Sequence, residues 1–389
     1  MQFKAKRYDN GEAVQIEIQG EHIERIASLK TTGTPTDLPF VAPGFFDHQI
    51  NGYGGTWFSG EELTPDAILT ALEAHYQYGI TRMFPTLTTS SFESLAGGFQ
   101  ALRQACEQER WANQMVPGLH LEGPYISSED GPRGGHSPRH IRAADWDEFC
   151  RLQEISGGRI RLLTLAPEVD GAIEVIHQAV KSGVVISIGH TGATPEQIRA
   201  AVDAGARMST HLGNGAHGTL RRHPNYIWEQ LGEPRLAAGI IADGHHLPAS
   251  VIRSIIGAKG IENTFLTCDA SGLAGCPPGR YSFQSIEVEK LADGPIFIAG
   301  QRQMLAGSGQ QTDVCVANVM TFARVTLQQA FDMAGRYPAR LLLGDDEIHL
   351  HHGSRADLVI FRYAGHGHRL EFLTTIAAGE VRFGVIPTL

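Results

Sequence analysis

From residue 40 onward the chain repeats one unit, a short apolar run followed by an amphipathic stretch and another apolar run. That alternation signals parallel βαβ units and not hairpins. Eight candidate strands stand in order: VAPGFFDHQI, ITRMFPTL, VPGLHLEG, IRLLTLAP, VVISIGH, RMSTHL, AAGIIADG and TFLTCDA. Thr64 before Pro65 and Thr194 before Pro195 are start signals for helices between them, since proline suits the first helical position. Gly79, Gly183 and Gly205 stop helices just ahead of the next strand. Eight such units predict a (β/α)8, TIM-like barrel over residues 41–349.

The ends of the chain read differently. Alternating VQIEI at 14–18, with turn-forming Asn10, Gly11 and Gly20 around it, predicts short strands. After Asp269 the Gly- and Pro-rich SGLAGCPPGR leads into β-like YSFQSIEVEK and PIFIAG, an inserted loop or small sheet. Two helical segments follow, QTDVCVANVM and TLQQAFDMAGRYPARLLLG, before HHGSRADLVIF returns to strands. Residues 1–40 and 350–389 are therefore predicted to form one small β-sandwich domain from both chain termini.

A length of 389 residues suits a barrel with one small companion domain. With 42% hydrophobic and 19% charged residues the chain can bury a substantial core, which excludes disorder. A net charge of -10 argues against nucleic acid or an anionic membrane as partner, because both demand clustered Lys and Arg. The five cysteines are scattered and form no C-x-x-C pair, as expected of a reduced cytoplasmic protein. MQFKAKRYDNGEAV at the start has no apolar signal core, and no later run is long enough to span a membrane.

In a β/α barrel the active site forms where strands end at the C-terminal face, so polar residues closing apolar runs are the positions to inspect. Glu122 closes GLHLE, His190 closes VVISIGH, His211 closes RMSTH, and Asp269 closes TFLTCD. A lone residue of this kind is usually a loop or capping group; four on one rim are not. Two imidazoles and a carboxylate form a hydrolytic zinc set that leaves room for a water, whose pKa the metal lowers toward neutrality. Asp269 is the candidate base that accepts the water's proton and delivers it to a leaving amine. The first strand lacks the His-x-His pair that holds a second metal in many barrel hydrolases, so one divalent ion per chain is expected. Zinc suits the set, and iron, cobalt or manganese also occupy such ligands. Alternation along that strand places Asp47, Gln49 and Asn51 on one face and turns His48 away, to the core or the surface. Gln49 and Asn51 become first-strand pocket residues.

PGFFDHQINGYGG, LHLEGPY, GGHSP, LAPE, IGHT, THLGN, IIADGHH, CDA and YPARLLLG together resemble the N-acetylglucosamine-6-phosphate deacetylase family of the amidohydrolase superfamily, in consistent order from about residue 41 onward. The resemblance implies a barrel with a β-sandwich domain, a homodimer, and hydrolysis of N-acetylglucosamine-6-phosphate to glucosamine-6-phosphate and acetate. It assigns Glu122, His190 and His211 to the single metal and Asp269 to acid/base catalysis. Substrate positions carried over are Gly135, His136, Asn214, Gly215, His246, Leu305, Ala306 and Gly307, and Arg222, whose register neighbouring Arg221 leaves open by one. Arg222 offers a planar fork for phosphate, although a solvated basic loop explains the same residues. Where the family reads HL-aromatic-NAM, this chain has HLGNGAHGTL, and its TDA has become CDA at 268–270. The altered loop keeps N-acetylgalactosamine-6-phosphate, or another N-acyl sugar or amine, as an alternative substrate. A dihydroorotase-like site lacks its His-x-His pair and bridging lysine here, and a non-catalytic sugar-phosphate sensor leaves the four intact polar positions unexplained. A dinucleotide-binding fold lacks its G-x-G-x-x-G.

Overall fold

The computed structural model describes residues 1–29, 38–60, 62–283, 286–302, 304–344 and 348–387. Residues 30–37 and 388–389, expected from the sequence to belong to the terminal domain, lie outside the described residues.

All eight expected runs become strands of one parallel sheet, paired in chain order: Phe45–Ile50, Ile80–Thr88, Leu119–Glu122, Ile160–Leu165, Val185–Ile188, Met208–Ser209, Ala237–Ile241 and Thr264–Thr267. A parallel bridge from Ile50 to Ala270 brings the first and last together, so the sheet nearly closes into a barrel. These strands are buried almost throughout, which explains why they read as continuous apolar runs and not as alternating ones. Helices Pro65–Glu73 and Pro195–Ala204 begin where expected, capped by the Thr64 and Thr194 hydroxyls. Gly205 then ends the second of them at φ 119°, a left-handed conformation that glycine adopts at no steric cost.

The two chain ends meet in one seven-stranded sheet. Phe40–Pro43 lies at its middle, parallel to Gln2–Arg7 and antiparallel to Leu358–Arg362. The run VAPGFFDHQI is therefore two strands, the first in the terminal sheet and the second in the barrel. Gly44 is the junction, and a Cβ there would come within 2.3 Å of Thr81 Cγ2. The predicted second C-terminal helix is also two, Leu327–Met333 and Arg336–Leu342, interrupted at Ala334 and Gly335. The stretch after Asp269 folds into a three-stranded antiparallel sheet, Gly279–Phe283, Ile286–Lys290 and Ile296–Ile298, standing over the barrel mouth. Stacking of Phe283 on Trp57, with centroids 3.9 Å apart and planes 10° from parallel, anchors it to the loop after the first barrel strand. No helix among the described residues is long and apolar enough to cross a membrane.

Candidate active site

Glu122 is the last residue of its strand, while His190, His211 and Asp269 each lie two residues beyond theirs. All four side chains are buried. His190, His211 and Asp269 hold φ values of 52°, 29° and 52°, three of the five non-glycine residues in the left-handed region among those described. Such conformations cost about 1–3 kcal/mol each and persist where surrounding structure enforces them. Here they turn three side chains over the barrel axis.

Glu122 Oε1 lies 3.1 Å from His190 Nε2 and 3.2 Å from His211 Nε2, and the two Nε2 atoms are 3.1 Å apart. His190 donates its Nδ1 hydrogen to the Pro132 carbonyl at 2.9 Å. A carbonyl has no hydrogen to give, so the Nε2 of a neutral His190 ring is a bare lone pair. That lone pair faces the Glu122 carboxylate and repels it unless a positive centre sits between them. The donor set thus fits a divalent cation. His136 is a neighbouring donor: one ligand atom each from Glu122, His136 and His190 falls within 4.8 Å of the others. The grouping with His211 is tighter, and the His136 ring is held by Thr89 Oγ1 at 2.7 Å from its Nδ1.

Asp269 faces the cluster through first-strand amides. Gln49 Nε2 donates to Glu122 Oε1 at 2.9 Å and to Asp269 Oδ1 at 3.2 Å, and Asn51 Nδ2 donates to the same Oδ1 at 2.7 Å. Burial and then the negative charge of Glu122 push the Asp269 carboxyl up to about 7. Burial also works to raise Glu122, but the His190 and His211 rings facing it hold it well below the ordinary range.

Asp47 does not join Gln49 and Asn51 as strict alternation predicts. The first strand breaks register between Asp47 and Ile50, so the period of two is lost there. Asp47 instead accepts from the Thr267 hydroxyl at 2.5 Å, Thr312 hydroxyl at 2.6 Å, Cys268 amide at 2.9 Å and Gln49 amide at 3.0 Å. It ties the first strand, the last strand and the helix Thr312–Ala323 together beside Asp269. His48 is a core residue, buried 6.4 Å from the Phe265 ring, and desolvation lowers its pKa to about 4. A neutral amide cannot serve four donors as an anion does, so Asp47→Asn is expected to lose about 2–3 kcal/mol of stability. Urea denaturation measures that loss, and metal content is expected to be retained.

Above the cluster opens a cavity of about 480 Å³, the size of a small-molecule site. Asn51, Gly135, His136, Asn214 and Gly215 line it, with His246 and the stretch Leu305, Ala306 and Gly307 opposite. Gly215 has φ 55°, and a Cβ there would stand 3.0 Å from His190 Nδ1, so both its backbone and its space call for glycine. Arg221 and Arg222 are exposed and do not line this cavity; their carbonyls accept from Asn225. The inserted sheet brings Phe283, Ile286, Val288 and Phe297 to the cavity wall, and the turn after it brings Arg302; none of these stands out in the sequence. Asp243 was missed too, although it closes a strand as Asp269 does. It holds His246 Nδ1 at 2.8 Å and accepts from Ser308 Oγ at 2.8 Å.

A nearly closed parallel barrel with His, Glu and Asp at its C-terminal rim defines a metal-dependent hydrolase of the amidohydrolase superfamily. No family model matches the chain. It is 32% identical to the N-acetylgalactosamine-6-phosphate deacetylase of Escherichia coli O157:H7 over 348 residues, covering 89% of each chain. It is 33% identical to the human N-acetylglucosamine-6-phosphate deacetylase over 332 residues, 82% of this chain and 79% of that one. Its fold matches a mutant of the Mycobacterium smegmatis N-acetyl-D-glucosamine-6-phosphate deacetylase, solved in complex with N-acetyl-D-glucosamine-6-phosphate, with a TM-score of 0.87 and 30% identity over 98% of this chain and 99% of that one. The chain belongs to the N-acetylglucosamine-6-phosphate deacetylase family, and is a hydrolase acting on an amide C–N bond.

Proposed function

We propose that this enzyme hydrolyses the N-acetyl amide of N-acetylglucosamine-6-phosphate, releasing glucosamine-6-phosphate and acetate, as a cytoplasmic homodimer with one divalent cation per chain. The observation that carries the reading is the meeting of Glu122 Oε1, His190 Nε2 and His211 Nε2 within 3.2 Å, with Asp269 joined to Glu122 through Gln49. Those three residues would hold the cation, for which zinc is the first choice. When bound, it acidifies a water and polarises the amide carbonyl. Asp269 takes the proton of the attacking water and returns it to the departing nitrogen, because amine expulsion needs a proton and ionised Asp269 has just acquired one. Asn51 and Gln49 keep the carboxylate aimed. His136, His246, Asn214 and the backbone near Gly215 and Leu305 to Gly307 supply hydrogen-bonding groups for sugar hydroxyls. Arg222, which does not line its own chain's cavity, serves the neighbouring subunit in this reading.

Acetate release from N-acetylglucosamine-6-phosphate, its galactosamine epimer and the two unphosphorylated sugars tests the substrate directly. The glucosamine phosphate is expected to have the highest kcat/KM. Preference for the epimer would move the reading to N-acetylgalactosamine-6-phosphate, and release from none would end it.

A further inference from the structure

Three loops around the cavity carry groups that face the cation site or the substrate. Residues 127–136, after the third barrel strand, bring Pro132, whose carbonyl fixes the His190 ring, and also Gly135 and His136 on the cavity wall. His190 to Gly192 follow the fifth strand, and His211 to His217 follow the sixth.

One side chain joins all three. His217 Nε2 lies 2.8 Å from Glu129 Oε2 on the first loop, and its Nδ1 lies 3.0 Å from the hydroxyl of Tyr226, which opens the helix Tyr226–Gly232. The Tyr226 oxygen also accepts from the His217 amide at 2.8 Å. A carboxylate only accepts, so in the neutral ring Nε2 carries the hydrogen and the bare Nδ1 accepts from the Tyr226 hydroxyl. Both ring nitrogens are then satisfied. Gly192 closes against the pair: a Cβ there would stand 3.3 Å from His217 Cε1 and 3.5 Å from Glu129 Oε2. Gly131, at φ 98°, lets the first loop pack on the last, since a Cβ there would come within 2.8 Å of His217 Cα.

The Glu129 and His217 side chains are 67% and 29% exposed, and a pair so open to water contributes little to folding. What it fixes is the place of a turn. Glu129 carbonyl accepts from the Arg133 amide and Gly131 carbonyl from the Gly134 amide, each at 3.0 Å, so Pro132 sits in a turn that hangs from Glu129.

We propose that Glu129, His217 and Tyr226 form a latch that holds the loop 127–136 against the site, as positioning residues for His190 and the cavity wall. This rests on the reading of His190 as a metal ligand and of the cavity as the substrate site, and zinc affinity tests it without turnover. Zinc dissociation constants are measured by competition with a chromophoric chelator for wild type, Glu129→Ala, Glu129→Gln, Tyr226→Phe and the double variant Glu129→Ala with Tyr226→Phe. Tm is recorded for each, with kcat and KM for acetate release from N-acetylglucosamine-6-phosphate at saturating zinc. Losing an outer partner of a metal ligand costs about 10- to 100-fold in affinity, and loosening its loop is expected to cost about three- to tenfold in Glu129→Ala. KM is expected to rise by a similar factor while kcat and Tm hold. Glu129→Gln, whose amide oxygen still accepts from Nε2, is expected to stay near wild type. The double variant is expected to lose no more than the worse single one, because both act through His217. Unchanged zinc affinity and KM in Glu129→Ala, losses that merely follow a lowered Tm, equal damage from Glu129→Gln, or additive losses in the double variant would overturn the latch. Wild type that releases no acetate, with zinc affinity still falling in Glu129→Ala, would overturn the deacetylase reading and leave the latch standing.

Discussion

Asp269→Asn is expected to lower kcat for acetate release by about 10²- to 10⁴-fold, the usual contribution of a positioned acid/base. The substitution keeps the shape of the site. Its carbonyl oxygen still accepts from Asn51 and Gln49, which now hold Asp269 Oδ1 at 2.7 and 3.2 Å. What it removes is the ability to take a proton, so metal content and fold are expected to survive while turnover does not. The same residue is expected to set the acid side of the pH profile. A base works only when ionised, so kcat/KM falls as pH drops through its pKa. Burial and Glu122 bring that carboxyl up to about 7, and a cation among the ligands would offset the charge of Glu122. The acid limb of the loaded enzyme is therefore expected below about 7. A limb that persists unchanged in Asp269→Asn would assign it to another group.

Glu122→Ala is expected to be at least as damaging, by a different route. It removes the carboxylate that both imidazoles face at 3.1 and 3.2 Å and leaves two neutral nitrogens as the only members of the set. Even partners that only orient metal ligands cost about 10- to 100-fold in affinity when lost, so deleting a ligand is expected to cost more than about 100-fold. Activity then disappears with the metal. Thermal unfolding supplies an independent reading, because a ligand that binds only the folded chain stabilises it by about 4 kcal/mol at a thousandfold excess over its Kd. Added zinc is expected to raise the Tm of the metal-stripped wild type and to leave Glu122→Ala where it was. Equal stabilisation of both would place the metal elsewhere.

Glu122, His190, His211 and Asp269 were legible because each closes an apolar run, and in a parallel barrel every run ends on the same rim. Asp243 closes a run as well; its pairing with His246 three residues on hid it, since nothing local distinguishes a group that grips substrate from one that orients it. Asp47 was misplaced because a period of two fails wherever a strand breaks register, and the break between Asp47 and Ile50 depends on its neighbour strand. Gly44 split an unbroken apolar run between two sheets for a similar reason: the partners of Phe40–Pro43 are Gln2–Arg7 and Leu358–Arg362, far away in sequence. Arg222 shows the limit of residue type. A guanidinium fits a phosphate, but its direction follows from loop geometry, and here the loop leaves it outside its own cavity while Arg302 lines it.

Titration of metal-free enzyme with zinc, reading acetate release from N-acetylglucosamine-6-phosphate after each addition, tests the single-cation site most directly. Activity is expected to rise in proportion to added metal and to level off at one equivalent per chain. A plateau at two equivalents, or full activity before any metal is added, would contradict it.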